Sequence, residues 1–135
     1  MMRGTRKKGA HAEILKQRLP VLIVDNDSFL ADSFQMILED AGFYVETAAT
    51  GEEALTKADA IPFRLVITDL KLPDIRGVEL SKLIKEKIPG VSVVLLSGMS
   101  NVEKMTAGGG LDHVLTKPIN PLELLRVSNS FKTHM

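Results

Sequence analysis

Apolar residues run along this chain in two alternating rhythms. Short unbroken stretches rich in β-branched residues, such as VLIV at 21–24, alternate with longer stretches in which apolar positions recur every three or four residues. The short runs predict strands buried on both faces, and the 3.6-residue spacing predicts helices with one apolar side. The pattern gives strands over residues 21–24, 43–48, 65–68, 91–96 and 113–116. It gives helices over 28–41, 52–60, 77–87 and 121–131, and a weak helix over 100–107.

The polar residues between these segments punctuate them. Asp27 or Ser28 can cap the first helix and Gly42 stops it; Thr50 can cap the second and Pro62 ends it. Pro89-Gly90 breaks the third, and Gly108-Gly109-Gly110 halts the weak fourth. Pro121 suits the first turn of the last helix, where its missing N–H costs nothing. Five strands alternating with five helices imply parallel pairing with helices on both faces, and right-handed crossovers lead to an α/β doubly wound sheet.

On that frame the chemistry gathers at one place. Asp25 follows the first strand, Asp69 the third, Ser97 the fourth and Lys117 the fifth. All leave the sheet at its carboxyl edge, where open α/β sheets bind ligands at the switch point between strands one and three. Carboxylates meeting there repel one another, and a hard divalent cation with oxygen ligands, Mg²⁺, relieves the repulsion. Acids, a hydroxyl and a lysine are what carboxylate attack on a phosphoryl group needs, with Asp69 as nucleophile and Lys117 as a cationic clamp.

Composition narrows the class without changing this picture. A chain of 135 residues fits one domain with a real core. Cysteine is absent, which excludes disulfide and thiolate chemistry and suits a cytoplasmic protein; no apolar run reaches membrane-spanning length. The zero net charge divides unevenly: residues 1–18 carry six cationic residues against one acid, a net +5, which leaves −5 for the remainder. Without aromatic residues among them, these charges read as a solvated basic extension rather than a nucleic-acid patch. The expected organisation is a basic extension over 1–19, a domain over 20–131 and a short tail over 132–135. The histidines have no metal-ligand spacing, Ser97-Gly98 lacks the flanking glycines of a nucleophile elbow, and no P-loop or dinucleotide fingerprint occurs.

The order and spacing of VLIVDND (21–27), GEEAL (51–55), ITDLKLPDIRG (67–77), VVLLSGMS (93–100) and LTKPI (115–119) resemble the receiver domain of bacterial-type response regulators. The resemblance implies a flavodoxin-like fold with strand order 2-1-3-4-5. It implies a domain that is not an enzyme beyond its own phosphorylation and dephosphorylation. Asp69 would accept phosphate from a histidine kinase or phosphotransfer protein. Mg²⁺ would be held by Asp25, Asp69, the residue at position 26 and the backbone carbonyl of Lys71. Ser97 and Lys117 would contact the phosphate, Lys71 and Met99 would tune its lifetime, and Lys117-Pro118 would be cis. The signal would pass through the surface of the fourth helix, fifth strand and fifth helix, to an unidentified downstream protein or to a second copy. Neither direct DNA binding nor membrane insertion is implied for the domain.

Three positions depart from the family pattern. Asn26 stands where a second acid is usual, which predicts weaker Mg²⁺ binding. Asp27 is expected to cap the first helix rather than substitute for it. Val114 stands where an aromatic switch partner of Ser97 is usual. The segment between Ser97 and Lys117 is about two residues short and holds three consecutive glycines, each costing about 1 kcal/mol in a helix relative to alanine. Asn26 and Val114 leave an alternative open: a pseudo-receiver that binds partners without phosphate. A phosphohydrolase is a weaker alternative, because Lys71 occupies the place of its general acid and the chain has no room for a cap domain. The chain is expected to be either a stand-alone regulator or part of a longer one.

Overall fold

A computed structural model describes residues 18–98 and 111–132. The strands are β1 (Pro20–Val24), β2 (Tyr44–Ala48), β3 (Leu65–Asp69), β4 (Ser92–Ser97) and β5 (His113–Thr116). The helices among the described residues are α1 (Ser28–Asp40), α2 (Gly51–Ala60), α3 (Gly77–Lys87) and α4 (Pro121–Ser130). The strands form one parallel sheet in the order β2-β1-β3-β4-β5, as the alternation of elements and the family resemblance imply. Five helices were expected and four are described; the fourth of the expected five, over residues 100–107, lies outside the described residues. So do Met99 and the glycine triplet.

Strand alternation sorts the core into two layers, since successive side chains point to opposite faces. Val21, Ile23, Leu65, Ile67, Val94, Leu96 and Leu115 pack with Phe34 and Leu38 of α1 and with Leu124 and Val127 of α4. Leu22, Val24, Val66 and Val93 pack on the other face with Ala54 of α2 and with Leu80 and Ile84 of α3. A sheet covered on both sides explains why its strands read as unbroken apolar runs instead of alternating ones.

Each helix end has a local cause. The Asp27 carboxylate accepts from Leu30 N–H at 3.2 Å and caps α1. Gly42, at φ 100°, ends the helix: its N–H donates to Glu39 O and Phe43 N–H donates to Leu38 O, each at 3.0 Å. That pair of bonds is a Schellman motif, and the left-handed residue within it favours glycine. Lys132 Nζ adds a bond to Ala41 O at 2.9 Å and lies 4.4 Å from the centre of the Phe43 ring, tying the start of the expected tail to the body. Thr50 caps α2 through Glu53 N–H (3.1 Å), and the Glu53 carboxylate accepts from Ala49 N–H (2.8 Å). Asn120 caps α4 through Leu122 N–H, with Pro121 in its first turn. Helix α3 is the exception, since Arg76 at its N-cap gives no side-chain bond.

The sheet edge at β2 is also covered. Gln35 of α1 donates to Val45 O (3.3 Å) and Lys57 of α2 donates to Thr47 O (2.5 Å). Two outward carbonyls of this edge strand are therefore occupied, one from each helical layer, which blunts its capacity to pair with another strand.

Candidate functional site

Three strands end in the residues that matter. Backbone pairing continues one step past β1, where Asp25 N–H donates to Ala48 O (3.0 Å). This holds the Asp25 side chain in the interior, only 1% exposed. Asp69 is the last residue of β3 and its side chain is 15% exposed. Lys117 follows β5, with its N–H donating to Ser97 O (2.8 Å), and its peptide bond to Pro118 is cis as expected.

The Lys117 ammonium lies between the two acids, 3.4 Å from Asp25 Oδ2 and 3.2 Å from Asp69 Oδ1. Both carboxylates are held by the backbone as well. Asp25 Oδ1 accepts from Asp27 N–H, and Asp69 Oδ1 accepts from Leu70 N–H, each at 2.9 Å. Asp69 Oδ2 makes neither of the Oδ1 bonds. Asp69, Leu70, Lys71, Gly98 and Lys117 line an open cleft of about 240 Å³.

The electrostatics follow from burial and charge. Burial pushes the Asp25 carboxyl above its ordinary range, helped by the negative charge of Asp69; the Asp27 N–H and the Lys117 charge oppose the shift without cancelling it. For Lys117, burial works against the ammonium, but Asp25 and then Asp69 outweigh it and hold the amine above its usual value. The site thus concentrates negative charge that one lysine only partly neutralises.

The loop after Asp69 brings Lys71 to the edge of the cleft. Its base is closed by two backbone bonds, Gly77 N–H to Leu70 O (2.7 Å) and Leu72 N–H to Ile75 O (3.2 Å). Neither uses the Lys71 carbonyl, and Lys71 lines the cleft. Gly77 is required where it stands: a Cβ there would collide with the Asp69 carbonyl oxygen. The donor set of two carboxylates and a carbonyl, all oxygen and beside partly uncompensated negative charge, fits a hard cation such as Mg²⁺. Among the described residues no group of three or more acidic, histidine or cysteine side chains converges as a metal cluster. That agrees with an amide at position 26, where Asn26 is exposed next to Asp25.

The remaining residues around the site fall as follows. Ser97 is buried at the last position of β4, and Gly98 beside it lines the cleft. Val114 is half-buried on β5, opposite Leu95 of β4. Thr68 is fully buried, its hydroxyl donating to Asp69 O at 3.1 Å. Asp74, within the ITDLKLPDIRG stretch, reads from sequence as a loop acid rather than a ligand. It does lie in the loop, but its carboxylate accepts from Gly51 N–H and Glu52 N–H, each at 2.9 Å. These two bonds, Gly51 first, hold its pKa below the usual range. Sequence reasoning missed the contact because the partners are 22 and 23 positions apart. The signal available was an acid in a tight Pro-Asp loop together with a helix beginning at glycine.

The doubly wound parallel sheet, with two acids and a lysine at its carboxyl edge, defines a flavodoxin-like α/β protein with a switch-point site. Residues 21–129 match the response regulator receiver domain, and the chain belongs to that family. It is 30% identical over 107 residues to the cell cycle transcriptional regulator CtrA of Caulobacter vibrioides, covering 78% of this chain and 46% of the relative. The cell cycle response regulator CtrA of Brucella ovis is 31% identical over the same shares. The chain spans about half the length of these curated relatives. Among solved structures, the chemotaxis response regulator CheY4 of Vibrio cholerae is 31% identical with a TM-score of 0.78, covering 84% of this chain and 98% of that one. A BeF3-activated DrrB receiver domain is 33% identical with a TM-score of 0.78, covering 86% and 98%.

Receiver domains are signalling domains that interact with histidine kinases or phosphotransfer proteins. No helix among the described residues is long and apolar enough to cross a membrane.

Proposed function

We propose that this receiver is phosphorylated on Asp69. The observation that carries the reading is the Lys117 ammonium lying within 3.4 Å of both Asp25 and Asp69 at an open cleft. Asp69 Oδ2 is the oxygen outside the bonds made by Leu70 and Lys117, so it is the one assigned to attack phosphorus. A new O–P bond forms there as the P–N bond of a phosphohistidine donor breaks, and the departing imidazole keeps the electron pair. Leu70 N–H and Lys117 hold the carboxylate through Oδ1, which fixes its orientation. Lys117 shifts its contacts toward the phosphoryl oxygens. Mg²⁺, held by Asp25, Asp69, the Lys71 carbonyl and more weakly the Asn26 amide, supplies neutralising charge when bound. Ser97 turns toward the phosphate and changes the surface around β5, with Val114 moving less than an aromatic ring would. A downstream protein, or a second copy, reads that surface.

The test uses beryllofluoride with Mg²⁺, followed by amide NMR. Shifts centred on Asp25, Asp69, Lys71 and Lys117 are expected, and a spectrum unchanged at those positions contradicts the proposal. The missing second acid at position 26 favours a second reading, a phosphate-independent interaction module. Mg²⁺ titration separates the two: a phosphoacceptor binds the ion and loses it in Asp69→Asn, whereas the module takes none.

A further inference from the structure

The loop between Asp69 and α3 is fixed at its base by Leu70–Gly77 and Leu72–Ile75 backbone bonds, but those bonds do not hold its tip. The tip is held from a different element. Asp74 accepts from the first two N–H groups of α2, and Ile75 is seated so closely over Gly51 that a Cβ on that glycine would collide with it. The contact needs an acceptor with two oxygens on the loop and a residue without a side chain at the start of α2, and the chain has both. These N–H groups are among those a helix leaves unsatisfied, so the carboxylate completes the helix and anchors the loop at once.

We propose that Asp74 is a positioning residue for the site: its bonds to α2 hold the 70–76 loop with Lys71 at the cleft, so that the Lys71 carbonyl is available to the ion. The inference rests on the metal- and phosphate-binding reading of that cleft. Asp74 touches neither ion nor phosphate and acts through the loop backbone. The Thr50 hydroxyl caps the same helix through Glu53 N–H but makes no bond to the loop. This supplies an internal control, since Thr50→Ala weakens the helix end while leaving the loop tied.

The experiment compares wild type, Asp74→Ala, Asp74→Asn and Thr50→Ala, all well below their unfolding temperatures. It measures Mg²⁺ affinity and, without metal, hydrogen exchange of amides 70–77. Asp74→Ala and Thr50→Ala are both expected to lower Tm. Only Asp74→Ala is expected to weaken Mg²⁺ binding, by about tenfold as for other residues that orient metal ligands, and to speed exchange in the loop. Asp74→Asn keeps one carbonyl oxygen and should fall between. Wild-type affinity and unchanged loop exchange in Asp74→Ala overturn this inference alone, as does equal weakening in Thr50→Ala. A wild-type protein that takes no Mg²⁺ overturns the reading of the cleft and the inference with it.

Discussion

At the scale of single residues, the site is a balance of charges in which Asp25 is the least comfortable. Its carboxyl is buried beside Asp69, and its pKa is raised, so the folded state holds the proton more readily than the unfolded chain does. Its contribution to stability therefore falls as pH rises from its ordinary value of 3.8 through the folded-state value. Asp25→Asn should raise the Tm of the metal-free protein at neutral pH and flatten that part of the pH profile, while weakening Mg²⁺ binding. Thermal scans across pH check it; a lower Tm at every pH would contradict it. Asn26 works in the opposite sense. Asn26→Asp restores a charge at the exit of β1 and should tighten Mg²⁺ by roughly tenfold, read by titration. No change would place residue 26 away from the ion. The residues of this cleft were legible in the sequence because strand ends converge by topology alone. Asp74 was not, because its partners are the backbone of another helix, and no side-chain pattern records a backbone donor.

At the scale of elements, helix ends carry most of the local information. Asp27, Thr50, Gly42 and Pro121 stop or start their helices as the sequence indicates, each through a bond or backbone angle that its residue type supplies. The expected boundaries moved by a residue or two: β4 begins at Ser92 rather than residue 91 and runs through Ser97, and α2 includes Gly51. Such ends depend on neighbouring strands and loops, which periodicity does not encode. Gly42→Ala should destabilise the protein by about 1–2 kcal/mol, because its φ lies in the left-handed region. Helix α3 offers the reverse. Arg76 gives no cap and places a cation at the positive end of the helix. Arg76→Asp should therefore stabilise by about 1 kcal/mol; urea unfolding measures both variants, and a neutral Arg76→Asp would mean that water already satisfies that helix end.

At the scale of the whole molecule, one parallel sheet between two helical layers turns distant sequence positions into a single site. Lys117 reaches Asp25 across 92 positions because β5 and β1 end at the same edge. Under the proposed metal binding, Mg²⁺ at ten times its dissociation constant should add about 1.4 kcal/mol to the free energy of unfolding, and Asp69→Asn should remove most of that increment. The proposed phosphorylation of Asp69 can be read by incubating the protein with acetyl phosphate and Mg²⁺ and mapping the product by mass spectrometry. One Mg²⁺-dependent phosphoryl group is expected, located on Asp69 and absent from Asp69→Asn. An unmodified protein, or a phosphoryl group that persists in Asp69→Asn, would contradict it.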